Sequence, residues 1–172
     1  AGEEFVESME HAEAMDIIAS MLHVDPKRRP SCKRSPEECM AAVLAHPFFL
    51  SATKKLDRVD LLHEIRPQQW KMLSCSSFRS QKCWHKPLAK LVSLMDGSYG
   101  RDSLQELVRL LRNVRAHWFE KFAEDATGVQ AVFGRELPGT AKGRDELLVE
   151  YVGQRLPGIF LDLLQNTEDW RL

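Results

Sequence analysis

Residues 99–122 read Tyr-Gly-Arg-Asp-Ser-Leu-Gln-Glu-Leu-Val-Arg-Leu-Leu-Arg-Asn-Val-Arg-Ala-His-Trp-Phe-Glu-Lys-Phe. The stretch decides the fold because it has the period of one long amphipathic helix. Ser103, with Glu106 three residues later, is a capping-box pair ahead of an apolar run. Leu104, Leu107, Val108, Leu111, Trp118 and Phe122 recur at three- and four-residue steps and draw one apolar stripe. At about 3.6 residues per turn, Arg109, Asn113 and His117 fall on the opposite side, each one turn beyond the last. Arg112 lies on the flank, and Tyr99 stands just ahead of the helix. Trp118 and Phe119 are adjacent, so they cannot both point to the core centre. Either one of the two packs at a partner surface, or both are partly buried within one subunit.

An arginine, an amide and an imidazole stacked along one helix side suit a phosphodiester. Arginine offers a planar fork for phosphate oxygens. Asparagine adds fixed donors. Histidine passes a proton near neutral pH. A polar helix side is more often only a solvated face, and periodicity does not choose between the two.

Working outward, 172 residues can bury one substantial core, or one domain and a fragment of another. With 44% apolar and 28% charged residues the composition is that of an ordinary globular protein. The formal net charge is −1, so no global attraction to nucleic acid follows. The distribution says more. Residues 1–26 carry Glu3, Glu4, Glu7, Glu10, Glu13, Asp16 and Asp25 and no lysine or arginine. Residues 79–121 carry Arg79, Lys82, Lys86, Lys90, Arg101, Arg109, Arg112, Arg115 and Lys121 against Asp96, Asp102, Glu106 and Glu120. This local basic excess surrounds the long helix and suits an anionic partner, although it is also compatible with a basic surface that binds nothing.

Cys32, Cys39, Cys75 and Cys83 form no C-x-x-C pair, and no histidine completes a zinc pattern. They are expected as thiols in a reducing compartment. No metal site is expected. No signal peptide is visible, and no apolar run is long enough to cross a bilayer. The first residue is Ala1 rather than methionine, which leads us to expect a piece of a longer protein.

Every long apolar pattern has helical period, so the expected class is all-α. Phe5 to Leu22 reads as a helix with Met15, Ile18, Met21 and Leu22 on a common side, and Pro26 ends it. Pro36 suits the first turn of a second helix carrying Cys39, Met40, Val43 and Leu44, which runs into His46-Pro47-Phe48-Phe49. Ala52 to Ile65 has helical spacing at Leu56, Val59 and Leu62 and ends before Pro67. Ser74–Ser77 reads as a loop. Trp84, expected as a core anchor rather than an RNA-stacking residue, precedes a helix from about Pro87 to Met95. Beyond the long helix come a short one from Glu124 to Phe133, a loop over Gly134–Gly143, a helix opened by Arg144-Asp145-Glu146, and a last helix from Leu156-Pro157. One continuous core is expected from the Trp84-to-Leu164 elements.

Two parts of the chain carry resemblances. Tyr99, then a helix with Arg112-Asn113 and His117 four residues after the asparagine, resembles the kinase-extension nuclease (KEN) domain. That domain is shared by ribonuclease L and the inositol-requiring type of unfolded-protein-response sensor kinase/endoribonuclease. The likeness covers roughly residues 46–165 in order and spacing and is sharpest over 99–117. Ala116 stands where the family often has a second histidine, and Arg155-Leu156-Pro157 has leucine in place of an aromatic. The apolar first helix, Asp25-Pro26-Lys27-Arg28-Arg29-Pro30-Ser31, the short helix and His46-Pro47-Phe48-Phe49 resemble the last helices of a protein-kinase large lobe. The distance from Pro30 to His46 is longer than in most kinases. Together these resemblances imply a kinase C-lobe remnant over residues 1–50 and a helical nuclease domain over 51–172. The glycine-rich loop, His-Arg-Asp loop and Asp-Phe-Gly motif of kinases are absent, so no phosphoryl transfer is expected. ATP and Mg²⁺ would belong to kinase parts outside this chain. The first unit is expected as a packing base in which Phe48, Phe49 and Leu50 need cover.

The nuclease resemblance implies metal-free cleavage of structured RNA. A base takes the proton of a ribose 2′-hydroxyl, which attacks the adjacent phosphorus, and an acid protonates the departing 5′-oxygen. It implies Tyr99 as base, His117 as acid, and Arg112 and Asn113 as phosphate holders. Free tyrosine, with a pKa of about 10, is a poor base, so a nearby cation such as Arg112 is expected beside it. Arg109, Arg115 and Arg101 are expected to bind substrate. A requirement for the 2′-hydroxyl excludes DNA. The resemblance also implies activity as a homodimer, no cofactor for cleavage, and a cytosolic segment of a parent anchored in the endoplasmic reticulum membrane. Two readings of other classes stay open: a catalytically inactive helical module that binds RNA or a second copy, and a kinase tail that only docks a partner.

Overall fold

A computed structural model describes residues 9–25, 35–64, 84–95, 98–100, 103–135 and 138–168. The described helices are α1 (Met9–Met21), α2 (Pro36–Leu44), α3 (Ala52–His63), α4 (Ala89–Leu94), α5 (Leu104–Glu124), α6 (Ala126–Phe133), α7 (Ala141–Arg155) and α8 (Ile159–Glu168). A 3-10 turn spans Pro47–Phe49. No strand occurs among the described residues, which are all-α as their apolar period requires.

The caps show why the helices start where they do. Ser35 and Glu38 form a complete capping box at α2, with Glu38 N–H donating to Ser35 Oγ and Ser35 N–H donating to the Glu38 carboxylate. At α5 the box is only half made. Glu106 N–H donates to Ser103 Oγ at 3.4 Å, but the Glu106 carboxylate accepts from Gly100 N–H and from Arg109 instead. Asp125 caps α6 through Gly128 N–H, which divides the expected Glu124–Phe133 helix from α5. Gly134, at φ 72°, ends α6 in the left-handed conformation that glycine adopts freely. Thr140 caps α7 through Gly143 N–H, so that helix opens at Ala141 rather than at Arg144. Gly158, at φ 77°, delays the last helix from Pro157 to Ile159.

The central helix α5 packs on α3, α6 and α7, while α3 also meets α7 and α8. The buried arc of α5 is wider than the expected stripe. It adds Leu110 and Val114 to Leu104, Leu107, Val108, Leu111 and Trp118, so α5 is covered over nearly half its circumference. The continuous core draws Leu147, Leu148, Val152, Ile159, Phe160 and Leu163 from α7 and α8. It begins earlier than expected, with Leu56, Val59 and Leu62 of α3. Trp84 is fully buried, as its reading as a core anchor predicts, and its indole N–H donates to Ser103 carbonyl oxygen at 3.1 Å.

The first unit is built differently from its expectation. Met15, Ile18, Met21 and Leu22 are all exposed. The inner side of α1 carries Glu13, Asp16 and Ile17, at positions i, i+3 and i+4. Glu13 is 1% exposed and accepts two hydrogen bonds from Lys55 Nζ on α3, at 2.8 and 2.7 Å. A buried carboxylate is tolerable only with such a partner, and this pairing turns the apolar side of α1 outward. Asp16 Oδ2 lies 3.1 Å from His46 Nε2, which ties α1 to the 3-10 turn. Of the three groups expected to need cover, Leu50 packs against the core, whereas Phe48 and Phe49 stay 40% and 47% exposed and meet each other edge to face at 5.0 Å. The expected Asp-Pro-x-x-Arg-Pro-Ser segment after Asp25 and the Ser74–Ser77 loop lie outside the described residues, as do Cys32, Cys75 and Cys83. No described helix is long and apolar enough to cross a membrane.

Candidate functional site

Helix α5 presents Arg109, Asn113 and His117 along the side opposite its core-facing arc, as the spacing predicts. The segment 98–100 runs back over this side. Arg109 reaches it with Nη2, which donates to Ser98 carbonyl oxygen at 2.9 Å, while Nη1 pairs with Glu106 at 3.1 Å. Its guanidinium carbon stands 4.8 Å from the centre of the Tyr99 ring. Asn113 Nδ2 donates to the Tyr99 hydroxyl at 3.3 Å. Three of the expected residues therefore meet: Tyr99, Arg109 and Asn113. The cation beside the tyrosine is Arg109, where the sequence pointed to Arg112.

Tyr99 is 7% exposed and its ring belongs to the core. It joins the site by its hydroxyl while its ring holds the 98–100 segment down on α5. Truncating this side chain to alanine would therefore leave a cavity.

His117 is exposed, one turn beyond Asn113, with Nδ1 2.7 Å from Glu120 Oε2. A carboxylate can only accept, so Nδ1 carries a proton and Nε2 is the ring nitrogen turned to other partners. Glu120 was not singled out from the sequence, although its position three residues after His117 was the available signal. Arg112 is exposed and has no hydrogen-bond or ion-pair partner among the described residues.

Arg115 is placed otherwise than expected. It pairs with Asp57 at 2.8 Å and Asp60 at 2.7 Å on α3, and with Asp145 at 3.0 Å on α7. Burial works to lower its pKa, but the hydrogen bonds to Asp145 and Asp57 outweigh this and push it further above arginine's ordinary value. With three carboxylates around it, Arg115 ties α3, α5 and α7 together and carries no surplus charge for phosphate. Arg101 lies outside the described residues.

Trp118 and Phe119 separate as their adjacency requires. Trp118 is buried against Phe133, with ring centres 5.0 Å apart. Phe119 stands out into solvent with the Arg144 guanidinium 3.7 Å over its ring. A groove at the far end of α5, lined by Lys90, Ser93, Lys121, Glu124 and Val132, contains none of the expected site residues. No cluster of metal-ligating side chains occurs among the described residues. Comparison of the chain with protein-family models, with curated proteins and with solved structures finds no match.

Proposed function

We propose that this chain is a metal-independent endoribonuclease of the kinase-extension type, acting on structured RNA by attack of the 2′-hydroxyl and leaving a 2′,3′-cyclic phosphate. The observation that carries the reading is the hydrogen bond between Asn113 and the Tyr99 hydroxyl, one helical turn from His117. It joins a motif residue ahead of the helix to one within it. Tyr99 takes the 2′-hydroxyl proton and His117 returns one to the 5′-oxygen, with Glu120 holding its Nδ1. Arg112 and Asn113 hold the phosphate, and Arg109 supplies positive charge beside the tyrosine ring. On this reading residues 1–50 are the end of a kinase large lobe, and the nuclease works as a self-associated pair. The parent would be a sensor kinase of the unfolded protein response with this part in the cytosol, or a ribonuclease L type enzyme.

A second reading is favoured by the burial of the Tyr99 ring and the placement of Arg115. In it the fold is kept, the chemistry is lost, and the surface binds RNA or a second copy. Incubating a radiolabelled RNA stem-loop with the chain in EDTA separates the two. Cleavage that is lost in His117→Ala supports the nuclease. Binding without cleavage supports the inactive module, and the absence of any RNA affinity leaves only a docking helix bundle.

A further inference from the structure

We propose that Phe119, held by Arg144, is a stacking platform for an unpaired nucleobase of bound RNA. The inference rests on the RNA reading above and assigns part of its substrate recognition to a residue outside the expected site. Phe119 is 60% exposed, while Trp118 beside it is 6% exposed. A phenyl ring left in water is unfavourable, and among the described residues its partner is Arg144, over one face. The Arg144 guanidinium stacks at 3.7 Å and is itself anchored, because Arg144 Nε donates to Thr140 carbonyl oxygen at 3.3 Å. The rest of the ring meets solvent.

The surroundings select the partner. Arg109, Lys121, Arg135 and Lys142 each pair with a glutamate, and Arg115 pairs with three aspartates. Arg112 and Arg144 have no carboxylate partner among the described residues. Arg112 and Phe119 are seven residues apart, so they lie within about 20° of each other around α5 and about 10 Å apart along it. That is roughly three nucleotides of a stacked strand at 3.4 Å each. An exposed aromatic flanked by two uncompensated guanidinium groups matches a single strand, which offers both a π-face and phosphates. An apolar protein surface would instead bury both cations without compensation.

The test compares Phe119→Leu and Phe119→Trp with the unaltered chain. The probe is a fluorescein-labelled single-stranded oligoribonucleotide, used also as its blunt duplex and with a single abasic position moved along it. Circular dichroism should be unchanged, since the side chain is exposed. Phe119→Leu should weaken single-strand binding about tenfold or more, Phe119→Trp should restore it, and duplex binding should not change. One abasic position should reproduce the loss in the unaltered chain and add nothing further in Phe119→Leu. Equal single-strand binding by Phe119→Leu, or equal losses for strand and duplex, overturns the platform alone. No RNA binding by the unaltered chain overturns the platform and the RNA reading together. Loss of a dimer in sedimentation with unchanged RNA binding assigns the ring to a second copy and also overturns the proposal.

Discussion

Asn113 donates to the hydroxyl of Tyr99 across 3.3 Å, although 14 residues separate them in sequence. The bond joins the segment ahead of α5 to the outer side of that helix. It also explains how a tyrosine whose ring is buried keeps its oxygen beside the polar side chains of the helix. Tyr99→Phe keeps the ring and removes only this oxygen. Loss of one such bond should lower stability by about 1 kcal/mol and leave RNA affinity nearly unchanged, while cleavage falls about a hundredfold or more. Tyr99→Ala should instead destabilise by about 3–5 kcal/mol through the cavity it leaves. Urea melts beside single-turnover cleavage would check both.

His117→Ala should abolish most cleavage with little change in stability, because the side chain is exposed. Glu120→Gln should lower turnover less, since it removes only the negative charge behind Nδ1 and keeps an oxygen that can accept from it. On the proposed mechanism the products should end in a 2′,3′-cyclic phosphate, because its nucleophile is internal to the substrate. Cleavage should persist in EDTA. Plain 3′-hydroxyl ends, or loss of activity with chelator, would show that Tyr99 and His117 are not base and acid.

The arginines of α5 should part company in a salt titration. Each phosphate contact contributes nearly one unit to the slope of log affinity against log salt. Arg112→Ala should therefore lower the slope by about one and reduce both binding and turnover. Arg115→Ala should leave the slope unchanged and act on stability instead, because it strands the carboxylates of Asp57, Asp60 and Asp145. A loss of about 2–4 kcal/mol is expected for breaking a partly buried network. An altered slope in Arg115→Ala at unchanged stability would return that residue to the RNA surface.

The Glu13–Lys55 pair should behave as a buried ion pair. Lys55→Met alone leaves a carboxylate that is 1% exposed without its partner and should cost about 3–5 kcal/mol. Glu13→Leu combined with Lys55→Met should recover most of that loss. A double-mutant cycle in urea measures the coupling, and additive losses would contradict it.

Asp162 gives the fold a pH dependence of definite sign. Burial first, and the charge of Asp16 second, push its pKa up to about 6. A carboxyl raised above its unfolded value of about 4 binds its proton more tightly in the folded state. Stability from this group is therefore greatest at low pH and is lost as pH rises from about 4 to about 6. Partial exposure of the group keeps the effect to about 1 kcal/mol. Asp162→Asn should raise Tm at pH 7 and flatten the dependence across this window. An unchanged difference in Tm between pH 4.5 and pH 7 in the variant would exclude Asp162 as its source.

Local chemistry determined much of this protein. The three- and four-residue steps after Ser103 dictate a helix wherever the chain places it, so α5 and the all-α class were legible from spacing alone. So was the outward row of Arg109, Asn113 and His117, because 3.6 residues per turn is a property of the backbone. Likewise, adjacency alone required Trp118 and Phe119 to part. What spacing could not determine is which partner each charged side chain takes. Glu13 finds Lys55 across 42 residues and Arg115 finds Asp57 across 58, and these pairings follow from how helices pack. Packing therefore turned the apolar side of α1 outward and tied Arg115 into the bundle. It also buried the Tyr99 ring and laid Arg144 over Phe119. A charge in low dielectric takes its energy from whatever lies within a few ångströms. Those neighbours come from distant parts of the chain, so only the tertiary structure decides them.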